Sequence, residues 1–135
     1  MNRRYQRLLT ICCLATIIIA TSIAWSGQPN QVRTFMRSKL NHSQQVLEGL
    51  STEDYDTIAK HAQDLSLLSL ASNWQVLQTE EYVQQSREFR RAADALRDAA
   101  KKKNLDGAAL AYVDMTMKCI NCHKYVRSTR VALAR

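Results

Sequence analysis

An all-α fold, an antiparallel up-down-up-down four-helix bundle, is what this sequence predicts, and three observations carry the prediction. Only 3 Gly and 1 Pro occur in 135 residues, too few turn residues for a sandwich or a barrel. Apolar residues recur at three-four spacing through four stretches of about 20 residues each, and none alternates as a strand does. The joints between these stretches are short, which makes successive helices antiparallel neighbours. A hydrophobic share of 46% and a charged share of 23% are those of a globular chain, and the length is that of one domain.

Residues 1–26 stand apart from this pattern. Arg3, Arg4 and Arg7 precede an apolar run over residues 8–25 that is broken only by Thr and Ser. With Ala24-Trp25-Ser26 offering small residues at a cleavage site, the segment reads as a secretory signal peptide, leaving 27–135 as the folded domain. The rival reading is an uncleaved membrane anchor, since the run is just long enough to span a bilayer. Cys12 and Cys13 lie in this run as small apolar residues. They form no lipobox, because Ile11 is too large and little apolar sequence precedes them. On either reading the domain is exported, to the periplasm or an equivalent compartment.

The first helix begins near Asn30, just after Pro29, and runs to about Gly49 through Val32, Phe35 or Met36, Leu40, Val46 or Leu47, and Leu50. Gly49 and the cluster Ser51-Thr52-Glu53-Asp54 make a joint, a terminal glycine followed by a cap with acids behind it. A second helix from about Glu53 to Asn73 carries Tyr55, Ile58, Ala62, Leu65, Leu68 and Leu70. Residues 71–78 form a joint around Trp74, with Leu77 beneath it. Thr79-Glu80-Glu81 opens a third helix reaching Lys103, with Tyr82, Phe89, Ala92 or Ala93 and Leu96 on its inner face. Asn104 or Asp106 caps the fourth. That helix runs from Gly107 or Ala108 along the apolar line Leu110, Val113, Met117 and Ile120 to the low 130s.

The formal net charge is +7, and three of the arginines belong to residues 1–26. The remainder is polarised: residues 27–81 hold 4 basic and 7 acidic side chains, and residues 82–135 hold 12 basic and 5 acidic. Lys101-Lys102-Lys103 reads as a solvated helix end near the negative pole of its dipole. No nucleic-acid motif accompanies the charge.

Cys119-Ile120-Asn121-Cys122-His123 is the sequence to which haem c is attached covalently. Two thiols three residues apart on a helix reach the two vinyl groups of one macrocycle, and the next residue presents an imidazole to the iron. The competing readings fit less well. A redox-active thiol pair belongs at a helix N-terminus after a strand, and a disulfide across three residues of a helix is geometrically poor. Structural zinc needs further ligands, and His42 and His61 read as separate, partly exposed surface residues. The cofactor expected is one covalent haem c, bound by Cys119 and Cys122 with His123 as iron ligand.

The motif stands 12 residues from the C-terminus, on the last helix of the expected bundle. In this the chain resembles the cytochrome c prime family, exported four-helix bundles with Cys-x-x-Cys-His on the final helix. The specific part of the resemblance spans residues 119–127. It implies that Arg127, four residues after the histidine, stands near the haem propionates. The family's aromatic three residues after the histidine is here Val126, with Tyr125 one step earlier. The resemblance also implies a choice at the sixth position on iron. A Met from the first helix closes it in one group of the family, and Met36 stands at that place. In the larger group the position is open and takes NO or CO. His42, six residues on from Met36, falls nearly opposite it on a 3.6-residue turn, so both cannot face one haem. Leu40, Phe89 and Met117 are expected in the haem-pocket wall or core, and Arg127 and Arg130 near the propionates or at a solvated helix end.

The expected function is electron transfer by a low-spin His123/Met36 haem. The partner is a redox protein that the basic second half orients through an acidic surface. A five-coordinate gas-binding haem is the first alternative, and a helical thiol or metal protein without haem the second. No catalytic constellation is visible, so the chain does not read as an enzyme. Neither does it read as a nucleic-acid binder, and membrane contact is expected only if residues 1–26 are retained. Homodimers built on the first two helices are common in the resembling family.

Overall fold

The computed structural model describes residues 28–71, 76–77 and 79–133. The expected export segment, with Cys12 and Cys13, lies outside the described residues, as does Trp74. Four helices follow in order: α1 (Gln28–Thr52), α2 (Tyr55–Leu68), α3 (Glu80–Lys101) and α4 (Leu105–Leu133). Each packs on the next, and α1 meets α4 more sparsely to close the ring. The fold is an all-α four-helix bundle. Among the described residues no helix is long and apolar enough to cross a membrane.

The boundaries depart from the sequence expectation for identifiable reasons. Pro29 falls inside the first turn of α1, where its missing N–H would have had no helical partner, so the helix already starts at Gln28. At its other end α1 runs past Gly49 to Thr52, and the residue in the left-handed region is Glu53, with φ 57°. The Asp54 N–H then donates to the Gly49 carbonyl at 2.9 Å, a Schellman closure. The Asp54 carboxylate accepts from the Thr57 N–H at 3.0 Å and from its hydroxyl at 2.7 Å. One residue thus finishes α1 and caps α2.

The joint between α3 and α4 repeats this device. Lys103 has φ 53°, the Asn104 N–H donates to the Ala99 carbonyl at 3.0 Å, and Asn104 Oδ1 accepts from the Gly107 N–H at 3.0 Å. Asn104, rather than Asp106, is therefore the cap. Thr79 caps α3 as expected, its hydroxyl accepting from the Tyr82 N–H at 3.3 Å, with Glu80 and Glu81 in the first turn. Helix α2 stops at Leu68, short of the expected Asn73. There the Ser69 hydroxyl donates to the Leu65 carbonyl at 2.9 Å.

These two short joints, of two and three residues, lie at the same end of the bundle, and the packing there is tight. Val46, Ile58, Ala62, Leu96, Ala100 and Ala108 are all 0% exposed. Three of these six are alanines, which let the helix backbones approach closely. Helix α4 corrects the sequence reading: Leu110, Val113, Met117 and Ile120 are 73%, 60%, 44% and 41% exposed. The buried line is instead Ala108 and Met115, with Ala111, Tyr112 and Cys119 half-buried beside them. Helix α4 has apolar residues on nearly every side, and the smaller stripe wins because Ala108 and Ala111 allow the closer approach to α3. Leu47, Leu40 and Leu70 are likewise exposed.

Gly49 serves this packing by its lack of a side chain. A Cβ there would lie 2.9 Å from Ile58 Cγ1 and 3.1 Å from the Asp54 carbonyl oxygen. Two substitutions of opposite sign follow. Gly49→Ala, which would stabilise an ordinary helix interior by about 1 kcal/mol, is expected instead to destabilise by about 1–2 kcal/mol through overpacking. Glu53→Gly is expected to stabilise by about 1 kcal/mol, because glycine takes the left-handed conformation without steric cost. Urea unfolding of the two variants beside the wild type checks both signs.

Candidate functional site

Away from the joints the helices diverge, and a cavity of about 610 Å³ opens between α1 and α4, floored by α2 and α3. Its volume lies in the range of small-molecule and cofactor sites. Helix α4 contributes Cys119, Cys122 and His123, which share a face because positions three and four apart on a helix are neighbours. Met36, Lys39, Leu40 and Ser43 line the α1 side at the same three-four spacing, and Leu65, Phe89 and Met115 form the inner wall. Arg33, Arg37 and Arg127 stand along its edge, all three exposed.

The residues expected at the site fall as follows. Cys119, Cys122, His123, Met36 and Arg127 all line this one cavity, and so do Leu40 and Phe89. Arg130 is exposed and takes no part in the lining. Met117 is absent from the wall and 44% exposed, a correction that follows from the face α4 buries. Tyr125 points elsewhere, its hydroxyl 2.8 Å from that of Thr79, and so pins the open end of α4 to the start of α3. Lys118 adds a second tie, its Nζ 3.4 Å from a Glu88 carboxylate oxygen.

Cys119 and Cys122 are free thiols. Burial pushes both above the ordinary thiol range, against the opposing pull of the Lys39 charge. Such thiols stay protonated near neutrality, unlike the depressed thiols of redox-active pairs.

Lys39 is the site residue that sequence reasoning missed. Its Nζ lies 4.2 Å from the centre of the Phe89 ring and 5.8 Å from that of Phe35, within cation–π range. It also donates to the Ser69 hydroxyl at 3.0 Å. Burial lowers its pKa to about 8, although charge on Cys119 and Cys122 pulls the other way. The available signal was positional: Lys39 stands three residues after Met36 and four before Ser43, on the face that the methionine was expected to turn inward.

His42 and His61 require a second correction. They were expected apart, yet their Nδ1 atoms are 2.8 Å from one another. The register that seats Gly49 against Ile58 carries His42 alongside His61 further down the same helix pair. His42 does not line the cavity, whereas Met36 does.

No protein-family model, no curated protein and no solved structure matches the chain.

The depressed Lys39 pKa has a definite consequence for stability. Its value is about 8 in the fold against an ordinary 10.5, so between these pH values the unfolded chain binds more protons than the folded one. Stability from this group therefore rises as pH rises through that window. Lys39→Met is expected to remove the rise: the wild type should gain stability relative to the variant from pH 8 to pH 10.5. Denaturant titrations of both chains across the window, each carrying Cys119→Ser and Cys122→Ser because the thiols are coupled to Lys39, measure the difference.

Proposed function

We propose that the chain is an exported one-electron carrier of the cytochrome c prime type, holding a single haem c in the cavity between α1 and α4. The observation that carries this reading is the convergence on one cavity of Cys119, Cys122, His123 and Met36. Two thiols and an imidazole at motif spacing on one wall, with a thioether on the facing helix, are a donor set suited to a covalently held iron porphyrin.

In this reading Cys119 and Cys122 anchor the group, His123 binds the iron from the α4 side and Met36 from the α1 side. Haem c, when bound, supplies a metal that gains and loses one electron. The chain supplies the surroundings. Leu65, Phe89 and Met115 exclude water from the inner wall, and a thioether ligand with an apolar shell favours a high reduction potential. Arg127, Arg33 and Arg37 offer cations to carboxylates at the cavity edge. The basic excess in residues 82–135, 12 basic against 5 acidic, falls largely on α3, α4 and the joint between them and would steer an acidic redox partner toward that side. Residues 1–26 supply export in this reading. The raised thiols argue against a dithiol redox function.

Visible spectra of protein produced in a host able to attach haem c test the proposal. The expected result is sharp α and β bands on reduction that carbon monoxide leaves unshifted, and haem staining that survives a denaturing gel. Met36→Ala should give a broad reduced band that shifts on adding carbon monoxide. A wild-type spectrum that already shifts with carbon monoxide would replace electron transfer with gas binding. A chain that acquires no covalent haem would overturn both.

A further inference from the structure

The hairpin of α1 and α2 assembles a second group of metal-capable side chains, separate from the cavity. His42 comes from α1, and His61 and Asp64 come from one face of α2, three residues apart. The two Nδ1 atoms are 2.8 Å apart, and Asp64 Oδ2 lies 3.5 Å from that of His42 and 3.8 Å from that of His61. The imidazole rings are tilted at 44° with centroids 5.1 Å apart, and it is the Nδ1 atom of each that lies within hydrogen-bond distance of the other. Across such a distance two ring nitrogens cannot both donate. One must accept, and the pair shares a single proton beside a carboxylate.

A divalent cation in place of that proton would satisfy all three atoms at once. The point equidistant from them lies about 2.0 Å from each, the bond length that zinc makes to histidine nitrogen and carboxylate oxygen. Imidazole and carboxylate together suit zinc and its neighbours in the first transition row. The three side chains are 21%, 14% and 36% exposed, so solvent reaches the group and a water can add to the three protein ligands, with small shifts of the side chains opening the near-planar arrangement toward a tetrahedron.

We propose that His42, His61 and Asp64 form a binding site for one zinc-class divalent cation that clamps α1 to α2 and keeps one coordination position for water. Metal bound only by the folded hairpin adds its binding free energy to the fold.

The test is a calorimetric titration of zinc chloride into the full chain as purified, after iodoacetamide has blocked any free thiol so that Cys119 and Cys122 do not compete. One equivalent should bind and raise the melting temperature, and absorption at the zinc edge should report two imidazole ligands. Asp64→Asn changes a partly exposed side chain and should fold normally while binding about tenfold more weakly, and His61→Gln about a hundredfold more weakly. Absence of saturable one-equivalent binding by the wild type would overturn the proposal. So would either variant, melting cooperatively, that binds zinc as tightly as the wild type.

Discussion

Close packing of small side chains at the joint end of the bundle is the constraint on which the rest of the structure depends. Ala62, Ala100 and Ala108 are fully buried there, and Gly49 leaves room for Ile58 where even a methyl group would collide. Joints of two and three residues hold α1 to α2 and α3 to α4 at this end. Helices α1 and α4 share no joint. Away from the alanines the bundle must accommodate Phe89, Leu65 and Met115, and its least connected pair of helices separates. The cavity is what that divergence leaves.

Its interior is hostile to charge of either sign. The same burial raises the thiols of Cys119 and Cys122 and lowers Lys39. Positive charge is plentiful only at the edge, where Arg33, Arg37 and Arg127 are exposed. A ligand suited to this cavity is therefore one with an apolar body and anionic groups held near its margin. Lys39 is tolerated inside because the face of Phe89 and the hydroxyl of Ser69 partly replace its lost hydration.

Much of this was legible in the sequence, and the failures share a cause. Helix existence and order followed from three-four periodicity, and the cap at Thr79 from its side chain and the acids behind it. The inner face of α3 was readable because Tyr82, Phe89 and Leu96 are large residues in a polar helix. The buried face of α4 was not, because α4 has two apolar stripes and local pattern does not rank them; the preference for Ala108 and Met115 is set by α3. The ends of α1 and α3 were misjudged because the left-handed positions are filled by Glu53 and Lys103 rather than glycine, and the signal lay in the Asp and Asn that follow. Lys39 and the pairing of His42 with His61 depend on how two helices are registered against each other. At the site, Cys119, Cys122 and His123 were grouped by their spacing on one helix, and Met36 by the resemblance together with the expected adjacency of α1 to α4; the structure shows all four lining one cavity.

The sparse meeting of α1 with α4 also bears on how the chain reaches this state. Nearly all helix packing joins neighbours in sequence, the arrangement of low contact order that folds rapidly. The α1–α4 seam is the exception: it must draw together segments from opposite ends of the domain and overcome a large loop-closure entropy for little apolar burial. Its formation is expected late, so the wall bearing Cys119, Cys122 and His123 stays open to solvent until α1, already paired with α2, closes onto α4. The time course of thiol protection during refolding, set against that of helix formation, reads this order directly.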